Sequence, residues 1–343
     1  MKRYRKDSDI RVAVIGYGGA FNMGRHHLEA MAQAGMTPSA VVELDRKRLA
    51  IAATDFPGIE QYDSVSAMLR RSGANLAAII TPHNTHAKLA IQCMRAGRHI
   101  VCEKPFAVTT AECDRMIEAS RRHRVALSTY HNRHWDGCVL QALDIIRKGT
   151  IGEIVRAEAA MGGYSKPGDW WRSSRSISGG ILYDWGVHFL EYALQLIDDR
   201  MVEVTGFAHH GFWAPKTPWK KDTIEDEASL VVRFARGAWL KLTMTTIDAS
   251  PSSNWFEITG TQGKLEFDHQ RWTTTVPRGA RTVTTSGSNP PHQYQRFYAN
   301  IRDHLVRGTP LIITPQWARR PIHVLDLAVQ SARKGRAMRT KYD

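Results

Sequence analysis

Between residues 11 and 129 the chain repeats one pattern, a short and mostly apolar run followed by a stretch of helical periodicity. The apolar runs fall at 11–15, 40–44, 76–80, 99–102 and 125–129, and the helical stretches at 24–34, 64–71, 85–96 and 110–122. Runs that are mostly apolar and lack polar alternation predict strands buried on both faces, and their alternation with helices predicts a parallel sheet covered on both sides. Right-handed crossovers then wind the chain into a doubly wound domain. Its ligand crevice lies at the carboxyl ends of the strands.

Beyond a predicted helix over 135–148 the pattern changes. Strands are expected at 154–161, 202–208, 228–234, 238–247, 255–259 and 264–268, with turns at Arg236-Gly237 and Thr261-Gln262-Gly263. A long helix is expected over 181–197, and two more close the chain at 292–306 and 315–333. The expected fold class is α/β followed by α+β. Residues 1–132 form a doubly wound Rossmann domain that binds a dinucleotide. Residues 133–343 form a substrate-binding and oligomerisation domain on a large, open, mostly antiparallel sheet, with the C-terminal helices packing back toward the first domain. An open sheet leaves an apolar face to cover, which predicts a homodimer or homotetramer.

Composition narrows the partners. No apolar run approaches the roughly 20 residues that span a bilayer, and the basic start is followed by no apolar signal region. A cytoplasmic protein without a membrane partner is expected. Cys93, Cys102, Cys113 and Cys138 show no metal-binding spacing and read as reduced thiols. The net charge of +14 is scattered, and no nucleic-acid-binding motif accompanies it. It reads as a solvated basic surface that attracts anionic ligands, with no nucleic-acid partner.

Three motifs carry chemistry. The first run ends in Gly16-Tyr17-Gly18-Gly19-Ala20-Phe21-Asn22-Met23-Gly24. A dinucleotide fingerprint puts its third glycine where Phe21 stands. Gly24 serves in that place if Phe21-Asn22-Met23 is an insertion that bulges the loop. Backbone N–H groups at the following helix start would face a pyrophosphate, and Gly24 would let that helix approach the sheet. Asp45, at the end of the second strand, lies near the interval expected for the acid that binds ribose hydroxyls. It favours NAD, while Arg46 beside it keeps NADP as the alternative.

Lys104, in Val101-Cys102-Glu103-Lys104-Pro105, emerges at the carboxyl edge of the sheet, and Pro105 restricts its backbone. Asp184 and His188 stand four residues apart, so on a helix they share one face, where a carboxylate can orient an imidazole for general acid/base work. A surface pair or half of a metal site are the other readings. No further ligand motif supports a metal, and none is expected. Near the crevice, Arg133 follows the last strand of the first domain, and Trp171 and Arg172 precede the Asp/His segment. Tryptophan faces pack on sugar rings and arginine binds hydroxyls or carboxylates, which makes these three the candidate substrate contacts.

The order and spacing of VAVIGYG, Asp45, TPHNTH (81–86), AGRHIVCEKP (96–105), GTIGEI (149–154) and GGILYDWGVH (179–188) resemble the Gfo/Idh/MocA family of NAD(P)-dependent oxidoreductases over nearly the whole chain. The resemblance implies hydride transfer between a nicotinamide cofactor and a secondary hydroxyl or ketone of a sugar, sugar derivative or cyclitol. It implies that Lys104 contacts the substrate hydroxyl and the nicotinamide, that Asp184 and His188 complete the catalytic set, and that His188 is the base. It also implies that Thr81, Pro82, Asn84 and His86 contact the nicotinamide half of the cofactor, with Glu103 the acid beside it. Two alternatives stand: a glycoside hydrolase that retains NAD and recycles it, and a cofactor-sensing regulator on the same fold.

Overall fold

The computed structural model describes residues 4–342. The chain divides into two units, one of residues up to Asn132 together with Gln295–Arg319, the other of Arg133–Tyr294 together with residues from Arg320 on.

The first unit alternates β1 (Arg11–Ile15), α1 (Met23–Gln33), β2 (Thr37–Val42), α2 (Arg46–Asp55), β3 (Glu60–Tyr62), α3 (Val65–Arg71), β4 (Leu76–Ile79), α4 (His86–Arg95), β5 (His99–Cys102), α5 (Thr110–His123) and β6 (Leu127–Thr129). Its six strands are all parallel, in the order β3-β2-β1-β4-β5-β6. This is the expected Rossmann sheet. Helix starts are set by local chemistry: Ser64 caps α3, and Thr109 and Glu112 form a reciprocal capping box at α5. The core strands β1 and β4 are buried at almost every position, which is why they read as unbroken apolar runs.

The second unit begins with α6 (Gly137–Arg147) and β7 (Ile154–Gly162), then the short α7 (Arg175–Ser178) and α8 (Gly186–Leu196). There follow β8 (Met201–His209), β9 (Glu227–Phe234), β10 (Trp239–Thr245), β11 (Phe256–Gly260), β12 (Gly263–Phe267), β13 (Arg271–Arg278) and β14 (Arg281–Ser288). Helix α9 (Gln295–Val306) belongs to the first unit, and α10 (Pro315–Lys334) starts in the first unit and ends in the second, before β15 (Met338–Arg339). The sheet has nine strands in the order β14-β13-β12-β11-β7-β10-β9-β8-β15, antiparallel except for β7 with β10.

Cross-strand register separates its two faces. Phe267, Phe256, Ala159, Leu242 and Leu230 form one buried row, against which α8 packs at Leu242. The opposite face carries rows such as Glu266–Glu257–Glu158–Lys241 and Lys264–Thr259–Arg156–Trp239–Arg233. There Lys264 Nζ bonds Glu257 at 2.6 Å and Glu266 at 2.8 Å. The apolar outer face expected from an open sheet is thus replaced by a largely polar one.

Two further expectations are corrected. Strands β13 and β14 are not legible in the sequence, because both are threonine-rich, β14 faces solvent almost throughout and β13 buries only Thr274 and Val276, so neither shows a run of apolar alternation. The helix expected over 181–197 is broken: a 3-10 turn at Ile181–Tyr183 ends at Asp184, and α8 starts at Gly186. The break follows from the entry. Gly179 and Gly180 have φ of +97° and +125°, and the Ile181 N–H is donated to Glu225 Oε2 at 2.8 Å rather than into a helix.

Candidate functional site

The first unit builds a nucleotide cradle at the carboxyl ends of its strands. Gly16 has φ +101°, and a Cβ there would stand 2.1 Å from the Ile80 carbonyl oxygen. A Cβ on Gly24 would meet the Gly16 oxygen at 2.8 Å and Tyr17 Cα at 3.1 Å, so α1 can start this close to the loop only with glycine. Gly24 is thus a position where the missing Cβ lets α1 start against the loop. Gly18 faces open space, with nothing within 4 Å of a Cβ. Backbone packing at Gly16 and Gly24, with clearance at Gly18, fits a pyrophosphate above the loop. In the insertion, Ala20 is exposed, Phe21 is 59% exposed, and Asn22 adopts a left-handed φ of +49° before Met23 opens α1.

The acid at the end of β2 differs from expectation. The strand stops at Val42, and the next residue, Glu43, accepts from the Tyr17 N–H at 2.7 Å and from the N–H groups of Leu44 and Asp45 at 2.7 and 3.1 Å. Asp45 lies beyond the strand as the N-cap of α2, accepting from the Lys47 N–H at 2.8 Å, and Arg46 next to it is exposed. Sequence reading also missed Arg48. Its Nε donates to the Tyr17 carbonyl at 2.9 Å and its Nη2 to Asn22 Oδ1 at 3.2 Å. The signal was only an arginine one turn into α2.

The 81–86 segment follows β4. Thr81 Oγ1 lies 2.6 Å from Thr85 Oγ1, the Thr85 hydroxyl donates to the Pro82 carbonyl at 2.6 Å, and Asn84 is exposed. His86 is fully buried with its ring between the carbonyl oxygens of Pro105 and Thr81, each at 2.9 Å, and burial lowers its pKa. It braces the two loops from inside. Lys104, half-buried, follows β5 and is joined to Pro105 by a cis peptide bond. Beneath it Glu103 accepts from Lys104 N–H at 2.8 Å and bonds His27 Nε2 at 2.9 Å. Burial pushes the Glu103 pKa up, but the His27 contact and the Lys104 charge outweigh it and hold the carboxyl below its usual range. His27 is itself fully buried, its Nδ1 bonded to the Tyr298 hydroxyl. The Tyr130 ring lies 4.2 Å from the His27 ring and 5.5 Å from that of Tyr298.

The second unit holds the remaining candidates. Asp184 sits in the turn before α8, so it does not share a helix face with His188 as the spacing implied; its side chain is 42% exposed. His188 lies in the first turn of α8, 5% exposed, its ring 5.6 Å from that of Trp185. Arg172 Nε is 3.7 Å from Asp184 Oδ1, and its guanidinium carbon stands 4.8 Å from the Trp170 ring centre and 4.6 Å from that of Trp171. Arg133 lies over the Trp185 ring at 4.7 Å and donates to Asp136 Oδ2 at 3.0 Å. Asp136 is buried and also accepts from the hydroxyls of Tyr192 and Tyr294. Both arginines are thus fixed by a carboxylate and an aromatic face, which pre-orders their remaining donors. Lys104 belongs to the first unit, and Asp184 and His188 to the second.

Among the described residues no group of three or more His, Cys, Asp or Glu could hold a metal, and no helix is long and apolar enough to cross a membrane. The four cysteines are free and buried.

Comparison with known proteins agrees with this arrangement. Residues 10–131 match the model of an oxidoreductase family with an NAD-binding Rossmann fold, and residues 139–266 match the GFO/IDH/MocA C-terminal domain. Two uncharacterized oxidoreductases of Schizosaccharomyces pombe are 29% and 31% identical over 190 and 196 residues, each over 54% of this chain. Those matches span about half the length of the relatives, 51% and 52%. Myo-inositol 2-dehydrogenase of Thermotoga maritima is 28% identical over 278 residues, 78% of each chain. The structure of a levoglucosan dehydrogenase in complex with NADH superposes with a TM-score of 0.82 at 21% identity, covering 97% of this chain and 100% of that one, a likeness of fold.

Proposed function

The chain belongs to the Gfo/Idh/MocA oxidoreductase family, with an NAD-binding Rossmann domain, and from that premise we propose that it transfers a hydride between a nicotinamide cofactor and a secondary hydroxyl of a sugar, sugar derivative or cyclitol. The observation that carries the reading is the Arg172–Asp184 contact beside the Trp170 and Trp171 rings, one turn before a buried histidine. Flat aromatic faces and fixed cationic donors suit a polyhydroxylated ring, and an imidazole near a carboxylate suits removal of a hydroxyl proton. The names of the inositol and levoglucosan dehydrogenases support the same substrate class.

When bound, the cofactor supplies the hydride acceptor at its nicotinamide ring. The residues of this chain do the rest. The loop at Gly16, Gly18 and Gly24 would hold the pyrophosphate, and Thr81, Pro82, Asn84 and Glu103 would hold the nicotinamide half. Lys104 donates to the reacting hydroxyl oxygen and Asp184 orients the same group. In oxidation His188 takes the hydroxyl proton as the C–H bond gives up its hydride; in reduction it returns that proton to the carbonyl oxygen. Arg133, Trp171 and Arg172 hold the ring so that one C–H bond is aligned, and such positioning is a large part of catalysis.

The test is purified protein with NAD and with NADP against a panel of polyols and sugars, followed by absorbance of the reduced cofactor. Lys104→Ala and His188→Ala should each lose at least roughly a hundredfold in turnover while still binding cofactor. Full activity in both variants would remove the assignment.

A further inference from the structure

Arg48 is placed in an unusual way for a residue of α2. It is half-buried, and its guanidinium reaches the glycine loop with two hydrogen bonds and passes over Gly19. Nε reaches the Tyr17 carbonyl and Nη2 reaches Asn22 Oδ1, while Nη1 stands 2.9 Å from where a Cβ on Gly19 would be. Gly19 is thus the residue that lets the guanidinium lie on the loop. The nearby carboxylates are engaged elsewhere. Glu43 is held by the N–H groups of Tyr17, Leu44 and Asp45, Asp45 caps α2, and Asp55 accepts from the Tyr17 hydroxyl and Arg25. Among the described residues no carboxylate lies within 4.0 Å of an Arg48 nitrogen, whereas Arg25, at the start of α1, is paired twice. Among the described residues Arg48 thus forms no ion pair at the edge of the cradle.

The insertion explains the other half of the arrangement. Asn22 occupies the N-cap position of α1, yet its side chain does not cap that helix. It turns to Arg48 instead, which ties the middle of Phe21-Asn22-Met23 to α2 and leaves the start of α1 uncapped by that side chain.

We propose that Arg48 is the cofactor-retention residue of this chain: it staples the inserted loop to α2 and donates its remaining N–H groups to the pyrophosphate of the dinucleotide. The inference rests on the Rossmann domain and is independent of the substrate assignment. A guanidinium on a dianionic pyrophosphate makes charge-assisted, forked hydrogen bonds, which a lysine at this position would not reproduce.

The test is direct binding without substrate, reading NADH fluorescence at equilibrium and in stopped flow, with NADPH and ADP-ribose as further ligands. Arg48→Gln keeps a donor for the Tyr17 carbonyl and removes the charge. It should weaken NADH, NADPH and ADP-ribose by a common factor of roughly ten to a hundred, mostly through faster dissociation, and reduce the salt dependence of binding. Asn22→Ala should speed dissociation by a smaller factor. Arg48→Lys should recover only part of the loss. Unchanged affinity in Arg48→Gln would overturn the proposal, leaving Arg48 as a brace within the loop. Weakening confined to NADPH would also overturn it, because the contact would then be to a 2′-phosphate. Melting of the ligand-free variants separates these outcomes from misfolding, and if Arg48→Gln does not fold, Arg48→Lys alone must show the common weakening of all three ligands or the proposal falls.

Discussion

Arg172 Nε lies 3.7 Å from Asp184 Oδ1 while its guanidinium plane stands against the rings of Trp170 and Trp171. One cation thus links a candidate catalytic acid to two aromatic faces. The planar group is what the site uses, so Arg172→Lys is expected to behave much like Arg172→Ala, each lowering kcat/KM about tenfold or more with cofactor affinity unchanged. Steady-state kinetics beside NADH titration checks this; a lysine variant with wild-type kcat/KM would show that charge alone suffices.

His27 and Glu103 form a buried pair under the Lys104 backbone, 2.9 Å apart. His27→Ala leaves a buried carboxylate short of a donor, at a cost of about 1–3 kcal/mol. Lower melting temperature and lower turnover are expected together. His27→Gln, which can still donate to Glu103, should restore most of the melting temperature. Equal losses in the two variants, measured by calorimetry, would show that packing rather than the hydrogen bond matters.

His99 gives the fold a definite pH dependence. Burial, reinforced by His304, lowers its pKa from 6.5 to about 4, and the neutral ring accepts the Ala126 N–H at Nδ1. The unfolded chain then binds a proton that the folded chain refuses. Stability is full above the unfolded value and declines as pH falls from about 6.5 to about 4, by about 3 kcal/mol in all. Denaturant titration across that range should show the slope, and His99→Gln should flatten it.

Gly24→Ala places a methyl against the Gly16 carbonyl oxygen at 2.8 Å. The loop or α1 must shift, so NADH affinity should fall by at least about tenfold while residues elsewhere in the sheet keep their packing. Gly18→Ala, whose Cβ meets nothing within 4 Å in the free protein, is the matched comparison. A pyrophosphate lying on the loop would make it weaken binding too, without loss of stability.

Much of this was readable before any coordinates, and for identifiable reasons. The parallel sheet announced itself because β1, β4 and β5 are buried on both faces and are apolar at every position but Arg11 and His99. Gly24 could be placed because a missing Cβ at a helix start has few causes. Strands β13 and β14 escape because β14 faces solvent and the inward positions of β13 include a threonine, so little apolar periodicity is imposed. Spacing alone puts Asp184 on a helix, because it cannot see Gly179 and Gly180 turning the chain, or Glu225, 44 positions away, accepting the Ile181 N–H. Arg48 and the His27–Glu103 pair were hidden for the same reason. Each is defined by partners remote in sequence, as Glu103 lies 76 residues beyond His27.

The return of Gln295–Arg319 to the first unit has a consequence for synthesis. When the ribosome has released the first 132 residues, the nucleotide-binding unit still lacks part of its interior. The hydroxyl that bonds His27 belongs to Tyr298, the buried Ser128 hydroxyl donates to the Ile313 carbonyl at 2.8 Å, and Phe297 stands edge-on to Tyr130. Until those residues emerge, His27 and Ser128 are polar groups in an unfinished interior, each costing about 1–3 kcal/mol. The first unit is therefore completed only after residues 133–294 have been made, and a fragment cut at Asn132 should be a poor folder, however well its boundary matches the last strand.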